Sequence, residues 1–441
     1  MRQKYSKEEI IMNLNLIHPA DQLVMFMERI YGYGMTTTSG GNLSILDDNG
    51  DIWITPGSID KGSLTRNDIV CIKKDGTIVG NHKPSSEYPF HQKVYEARPD
   101  LKAVLHAHPP ALVAFSIVRK MPDTNLIPNV KFSCGDIGLA KYGLPGSMDL
   151  GEKIAAEFSK GFNTVVLENH GVVVGSGSMF DAFKAFETLD FCARLEIDAY
   201  QIGKPSPLSD EQIEWYKSRQ HVSMNEFVAN NVSSEEKDER RKMCNLIKRA
   251  YNQQLFTSTQ GTFSRRIDGD SFIITPCDKD RKYLEPEDIV KIEGNYKELG
   301  KIPSRSVALH SEIYKKHPHI NSIIIAHPPC LMAFAVSDQE IDSRTIPESY
   351  ILMRNIPKLD FGANYMKPVE TADVFKENTP IAIVKNDCVI VTGDSLLNAF
   401  DRLEVAEYSA KAIIAARDLG KVVAINDDEI DEIIDAFHLK K

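Results

Sequence analysis

Four residues of this 441-residue chain carry the ingredients of a metal-assisted reaction. His106 and His108 form an H-x-H pair in the apolar run AVLHAHP, His170 lies in VVLENHGVVV, and Glu87 ends the motif PSSE at the head of a helical segment. Alternate side chains of a strand share a face, so His106 and His108 are expected to point the same way. Such a pair suits two imidazoles on one cation at ~2.0–2.1 Å each. His170 is expected in a later strand, ahead of Gly171, where a missing side chain lets the backbone turn or approach closely. Three histidines and a carboxylate, with a position left for a substrate oxygen, describe an open catalytic site of the zinc type. The competing reading is that of ordinary strand histidines satisfied by local hydrogen bonds, the usual fate of an isolated H-x-H.

An internal repeat weighs between the two readings. DIWITPGSIDKGSLTRNDIV (51–70) returns as SFIITPCDKDRKYLEPEDIV (271–290), LHAHPPALVAFS (105–116) as IAHPPCLMAFA (325–335), and VVLENHGVVV (165–174) as AIVKNDCVIV (382–391). Within this pattern His106, His108, His170 and Glu87 face Ile325, His327, Asp387 and Ser306. The apolar frame survives while three of the four polar residues change, which marks the four as a functional set and the second copy as a retained scaffold.

A second cluster could hold an anion. Ser85 and Ser86 precede a helical segment, where they could act as caps or, with the free N–H groups of the helix start, receive a phosphate. The loop TTTSGGNLS (36–44) adds Gly40, Gly41 and Asn42. Taken alone it reads as a Gly-Gly hairpin turn, and with the PSSE loop as a phosphate cradle.

The elements that must position these residues follow from periodicity. Leu23, Phe26, Met27 and Ile30 recur at helical spacing, with Asp21 as the expected N-cap. NLSIL, DIWITP and IVCIK, separated by Asp-Asn-Gly and Lys-Asp-Gly, read as antiparallel strands and hairpins. Residues 86–97, 110–118 and 178–201 read as helices. This gives an α/β unit over 15–204, a helical linker over 205–232, a degenerate second unit over 233–420, and a C-terminal acidic helix over 421–441 with Ile430, Ile433, Ile434 and Phe437 on one face. The polar linker stretch NNVSSEEKDERRK runs into the next helix.

Composition narrows the partners. With 52 basic and 62 acidic residues the net charge is −10, without a basic stripe, so no nucleic-acid partner is expected. The seven cysteines (71, 134, 192, 244, 277, 330, 388) are scattered without C-x-x-C, which argues against a disulfide framework and fits a reducing, cytoplasmic setting. The first ten residues are polar and lack a signal-type apolar core. No apolar run approaches the ~20 residues that span a bilayer, so no membrane partner is expected.

TSGGNLS, ITPGSIDKGSL, KPSSEYPFH, VLHAHPPA and ENHGVVV, in this order, resemble the class II aldolase/adducin family, over most of 15–204 and more weakly over 240–415. The resemblance implies two tandem αβα layered domains with mainly antiparallel central sheets. It implies one divalent metal per chain on His106, His108 and His170, zinc first, with manganese, cobalt or magnesium as alternatives. Glu87 becomes a fourth ligand or general base; Asn42, Ser85 and Ser86 hold phosphate, with Gly57 and Ser58 of the loop Thr55–Ser58 nearby. The implied reaction is aldol cleavage of a ketose phosphate to dihydroxyacetone phosphate and an aldehyde through an enediolate. Sugar-phosphate 4-epimerisation, or dehydration or decarboxylation of a sugar acid, is the alternative within the family, and an adducin-like interaction module without catalysis the alternative outside it. Two departures stand out. Gly57-Ser58 inverts the usual small pair, and Phe132 occupies the place of a tyrosine acid after Ile127-Pro128, with Tyr142 reading as structural. The family's four-fold rings imply a homodimer forming a pseudo-tetramer, in which Tyr350, after Ile346-Pro347, completes a neighbour's site.

Overall fold

The computed structural model describes residues 16–229 and 232–440. The polar N-terminal segment, Asn230 and Asn231 of the linker stretch, and Lys441 lie outside the described residues. Contacts divide the chain into two units, residues up to 122 with 132–190, and residues 123–131 with those from 191 onward.

The first unit opens with α1 (Pro19–Gly32). His18, not Asp21, is its N-cap: His18 Nδ1 accepts the amide of Ala20 at 3.1 Å. Pro19 starts the helix because its missing N–H is not needed there, which moves Asp21 into the first turn, where its charge meets the positive helix end. Eight strands follow: β1 (Asn42–Leu46), β2 (Ile52–Ile54), β3 (Val70–Ile72), β4 (Ile78–Val79), β5 (Ala103–Ala107), β6 (Ile137–Ala140), β7 (Thr164–Leu167) and β8 (Val172–Ser176). They are ordered β4-β3-β2-β1-β5-β8-β7-β6. All neighbours are antiparallel except β6 and β7. Interleaved are α2 (Tyr88–Ala97), α3 (Pro110–Ile117) and α5 (Met148–Ser159), while α4 (Pro128–Cys134) and α6 (Met179–Ile202) each run across the division of the chain between the units.

Helices α2 and α5 bury Phe90, Val94, Ile154 and Phe158 against Ile54, Val70, Val104 and Val173 of the sheet. Helix α1 packs on β1 and β2, and its Phe26 meets Phe183 of α6 with ring centroids 5.3 Å apart. The expected αβ layering with a mainly antiparallel sheet is what the chain adopts.

The second unit repeats the plan with α7 (Asp210–Lys217), β9 (Asn225–Phe227), α8 (Ser234–Asn252), β10 (Thr262–Asp268), β11 (Ser271–Ile274), β12 (Val290–Glu293), β13 (Tyr296–Glu298), α9 (Val307–Lys316), β14 (Ser322–Ala326), α10 (Pro329–Ala335), α11 (Pro347–Met353), β15 (Lys358–Leu359), α12 (Ala363–Met366), α13 (Pro368–Asp373), β16 (Ile381–Val384), β17 (Cys388–Gly393), α14 (Leu396–Arg417) and α15 (Asp427–Ala436). Its strand order is β15-β16-β17-β14-β10-β11-β12-β13-β9. Two features differ from expectation. The linker supplies an edge strand, β9, paired in parallel with β13, in addition to the helix α7. The tail is helical only over 427–436, because Asn426 and Glu429 form a capping box that fixes the helix start there. Within α15 Ile430 is buried and Phe437, just past its end, is exposed.

Candidate active site

Register and helical spacing together build the site. The β1/β5 pairing sets Asn42 opposite His106, and opposite residues share a face. On that face α2 presents Glu87, its N-cap residue, then His91 and Tyr95, a stripe at intervals of four. Only His106 of the triad lies within a strand. His108 follows the end of β5, its amide bonded to Met35 O at 3.2 Å. His170 sits in the tight turn between β7 and β8, not in a strand, where His170 N bonds Leu167 O at 3.1 Å and Asn169 takes a left-handed φ of 55°. Gly171 makes this turn fit, because a Cβ there would lie 2.6 Å from Ala107 O and 2.6 Å from His108 Cδ2.

The three imidazoles converge. His106 Nε2 and His108 Nε2 are 2.9 Å apart, and one ring nitrogen from each of the three histidines lies within 4.8 Å of the others. Among the described residues this is the one group of three or more potential metal ligands so arranged. His106 Nδ1 donates to Val172 O at 2.9 Å, which leaves the Nε2 lone pair facing the cluster. Burial, reinforced by the neighbouring histidines, pushes His106 and His108 down to about 3, and burial lowers His170. All three are therefore neutral near pH 7, the form that ligates a metal.

Glu87 closes the cluster. Its Oε2 lies 3.4 Å from His106 Nε2 and its Oε1 3.7 Å from His170 Nε2. Asn42 Nδ2 donates to Oε2 at 2.7 Å, whereas the buried Oε1 has no hydrogen-bond partner.

These positions stand within sequence segments that match known proteins. The Class II Aldolase and Adducin N-terminal domain profile matches residues 21–197 and again 241–414. The chain belongs to the class II aldolase and adducin family. The chain is 28% identical over 197 residues to the 5-deoxy-D-ribulose 1-phosphate aldolase of Bacillus thuringiensis serovar kurstaki, covering 44% of this chain and 91% of that enzyme. It is 30% identical over 177 residues to the 3-oxo-tetronate 4-phosphate decarboxylase of Haemophilus influenzae, covering 39% of this chain and 84% of that one. It is also 30% identical over 174 residues to the L-fuculose phosphate aldolase of Methanococcus maripaludis, covering 40% and 93%. The triad of neutral imidazoles with an adjacent unpartnered carboxylate oxygen fits the divalent metal on which class II aldolases depend.

Behind the histidine triad runs a polar chain that the sequence did not disclose. His91 Nε2 donates to Asn42 Oδ1 at 2.5 Å, and Ser44 Oγ lies 2.7 Å from His91 Nδ1 and 2.8 Å from Tyr95 Oη. Burial drives His91 well below the ordinary histidine range, so it stays neutral. With Nε2 donating, Nδ1 must accept from Ser44, and the orientation of the Asn42 amide is set. Asn42 is thus a tether for Glu87. The signal was present as the stripe Glu87, His91, Tyr95 and its return as Ser306, His310, Tyr314.

The phosphate candidates lie around this same helix start. Ser85 is buried and its Oγ accepts the amide of Glu87 at 3.2 Å. Ser86 is exposed. Gly57 N bonds Lys83 O at 3.1 Å, joining the two loops, and Ser58 is exposed with φ 56°. The buried Lys61 pins the same loop, donating to Pro56 O at 2.6 Å. Phe132 and Tyr142 are both exposed. Tyr350 lies on α11 in the second unit, lining an open groove of about 680 Å³ with Arg344 and Arg354.

Proposed function

We propose that the first unit is a metal-dependent aldolase that cleaves a ketose phosphate to dihydroxyacetone phosphate and an aldehyde. The observation that carries this reading is the convergence of three neutral imidazoles beside a carboxylate held by one oxygen only. A divalent cation on His106, His108 and His170, zinc before manganese, cobalt or magnesium, would supply the Lewis acidity that polarises a carbonyl and stabilises negative charge at its oxygen. Glu87 moves the proton at the carbon beside the carbonyl, which gains one as its bond to the departing aldehyde carbon breaks: Asn42 holds Oε2, which leaves Oε1 to deliver it. His91, Ser44 and Tyr95 keep the Asn42 amide from rotating, so the carboxylate meets the substrate already oriented. Ser85, Ser86 and the loop with Gly57 and Ser58 bind the phosphate, Ser86 and the α2 start offering the accessible donors and Asn42 only the amide hydrogen it does not give to Glu87.

The second unit is read as catalytically silent, with Ile325, Asp387 and Ser306 where the first has His106, His170 and Glu87. In this reading a homodimer forms a ring of four units, and Tyr350 of one subunit serves as the acid–base group that Phe132 cannot be, accepting the hydroxyl proton of the aldehyde-forming carbon in cleavage and returning it in the reverse direction. No helix among the described residues is long and apolar enough to cross a membrane, and all seven cysteines are free, which supports a cytoplasmic setting.

Identity to the decarboxylase matches that to the fuculose phosphate aldolase, so phosphorylated sugar acids form the second substrate class. The test is elemental analysis of the purified protein, followed by a product screen of ketose phosphates and phosphorylated sugar acids with Zn²⁺ or Mn²⁺. One metal per chain and an aldehyde product support the aldolase. Release of CO₂ would move the assignment to decarboxylation, and absence of metal and turnover to an interaction module.

A further inference from the structure

The second unit has not simply lost its centre. Where the first unit gathers its triad, the second encloses a cavity of about 80 Å³ lined by His327, Asp387, Ser306 and Arg219. Arg219 lies between the two family-matched segments, so it belongs to neither repeat. Its guanidinium carbon stands 3.1 Å from the Tyr216 ring centroid and 3.9 Å from that of Tyr365, and Nε donates to Tyr216 O at 2.8 Å. Held this way, Nη1 is buried without a hydrogen-bond partner. His327 is 6% exposed, and its Nδ1 likewise has no partner. Two unsatisfied buried nitrogens around one small cavity are costly unless a ligand meets them.

The surroundings define that ligand. Arg219, Arg281 and Arg305 line the cavity against two carboxyls, Asp278 and Asp387, so the site carries net positive charge. Arg281 is committed to the loop carbonyls, among them Gln260 O at 2.9 Å, and Arg305 pairs with Asp278 at 3.4 Å. Arg219 also faces Asp387, yet its Nη1 is unmet, so it is the guanidinium with a donor left for a guest. The ten-residue helix α9 begins at this cavity, with Ser304 Oγ and Ser306 Oγ 3.0 Å apart at its start. Asp387 accepts from Asn364 Nδ2 at 2.9 Å and from Tyr216 Oη at 3.4 Å, which holds it at the cavity wall.

We propose that the second unit binds a small oxyanion, a carboxylate or a phosphate monoester, at the place of the lost metal centre, with the Arg219 guanidinium as its positive charge. The site needs no metal, and the serines of α9 share the anion with Arg219.

The test uses the full chain. The protein has two tryptophans, Trp53 and Trp215, so a Trp53→Phe background leaves Trp215, adjacent to Tyr216, as the reporter of this site. Emission is titrated with inorganic phosphate and, separately, with glycolate, and the responding arm tells phosphate from carboxylate. A saturable response is expected, unchanged by EDTA, and weakened about tenfold or more in Arg219→Met, the cost of a lost charge-assisted hydrogen bond. Ser306→Glu leaves the Arg219 stack in place and sets a carboxylate in the cavity; it should abolish the response. No response to either anion, or responses that persist in both variants, would overturn the proposal.

Discussion

The two units share a buried Ser-His-Tyr relay and differ in what the relay supports. In the first, Ser44 Oγ is 2.7 Å from His91 Nδ1 and 2.8 Å from Tyr95 Oη. In the second, Ser264 Oγ is 2.6 Å from His310 Nδ1 and 2.7 Å from Tyr314 Oη. Beyond the histidine they part. His91 Nε2 holds Asn42, which holds Glu87. His310 Nε2 is buried without a partner, because Thr262 and Ser306 replace the asparagine and the glutamate. Thr262 Oγ1 bonds Ser304 Oγ at 2.8 Å instead. The relay is thus architecture common to both units, and the amide and carboxylate at its end are present in the first unit and replaced in the second. A buried donor or acceptor left unmet costs about 1–3 kcal/mol, so the second unit bears a cost of that order at His310.

The widest gap should open with His108→Ala. Since the second unit folds with Ile325 and Asp387 at two of the three ligand positions, the variant should stay folded while metal content drops from one per chain to near zero and activity goes with it. Two metals per chain in the wild type would collapse the contrast between the units. Glu87→Gln should retain metal and slow turnover by about 10²–10⁴-fold, the range for a lost acid–base group; unchanged turnover would reduce Glu87 to a helix-start residue. Tyr350→Phe, with metal content and dimer state verified, should lower turnover by a comparable 10²-fold or so if the second unit completes a neighbour's site. Full activity in that variant, or a monomer that turns over, would leave the second unit as a stabilising partner only.

Smaller effects probe the relay. Asn42→Thr imports the second unit's residue and frees Glu87; turnover should fall about 10–10²-fold with metal retained. The reciprocal Thr262→Asn gives His310 Nε2 an acceptor and should raise stability by about 1 kcal/mol, read as an upward shift in thermal midpoint. Acid reports on the same residue. Burial pushes His310 down to about 3, below the ~6.5 of an unfolded chain, so the unfolded state binds the extra proton. The contribution is complete above ~6.5 and is lost as pH falls toward 3. Melting between pH 7 and 4 should show that decline, less steeply in His310→Gln.

Much of this protein was written in its local pattern. The duplication, the strands NLSIL and IVCIK, the helices around residues 88–97 and 179–202, and the set His106, His108, His170 and Glu87 were legible because hydrophobic period and repeat comparison act within short windows. Tertiary structure decided the rest. Asn42, His91 and Ser44 lie more than 40 positions apart where they bond, and only the β1/β5 register and the docking of α2 bring them together. His170 was expected in a strand and reaches the triad from a turn, since Gly171 allows a backbone approach that no periodicity encodes. The strand β9 and the stacked Arg219 arise from a linker whose sequence predicts a helical connection, met by α7, and neither of these two features. A linker acquires an edge strand or a buried cation only when a folded partner surface offers carbonyls, aromatic faces and a cavity to meet it.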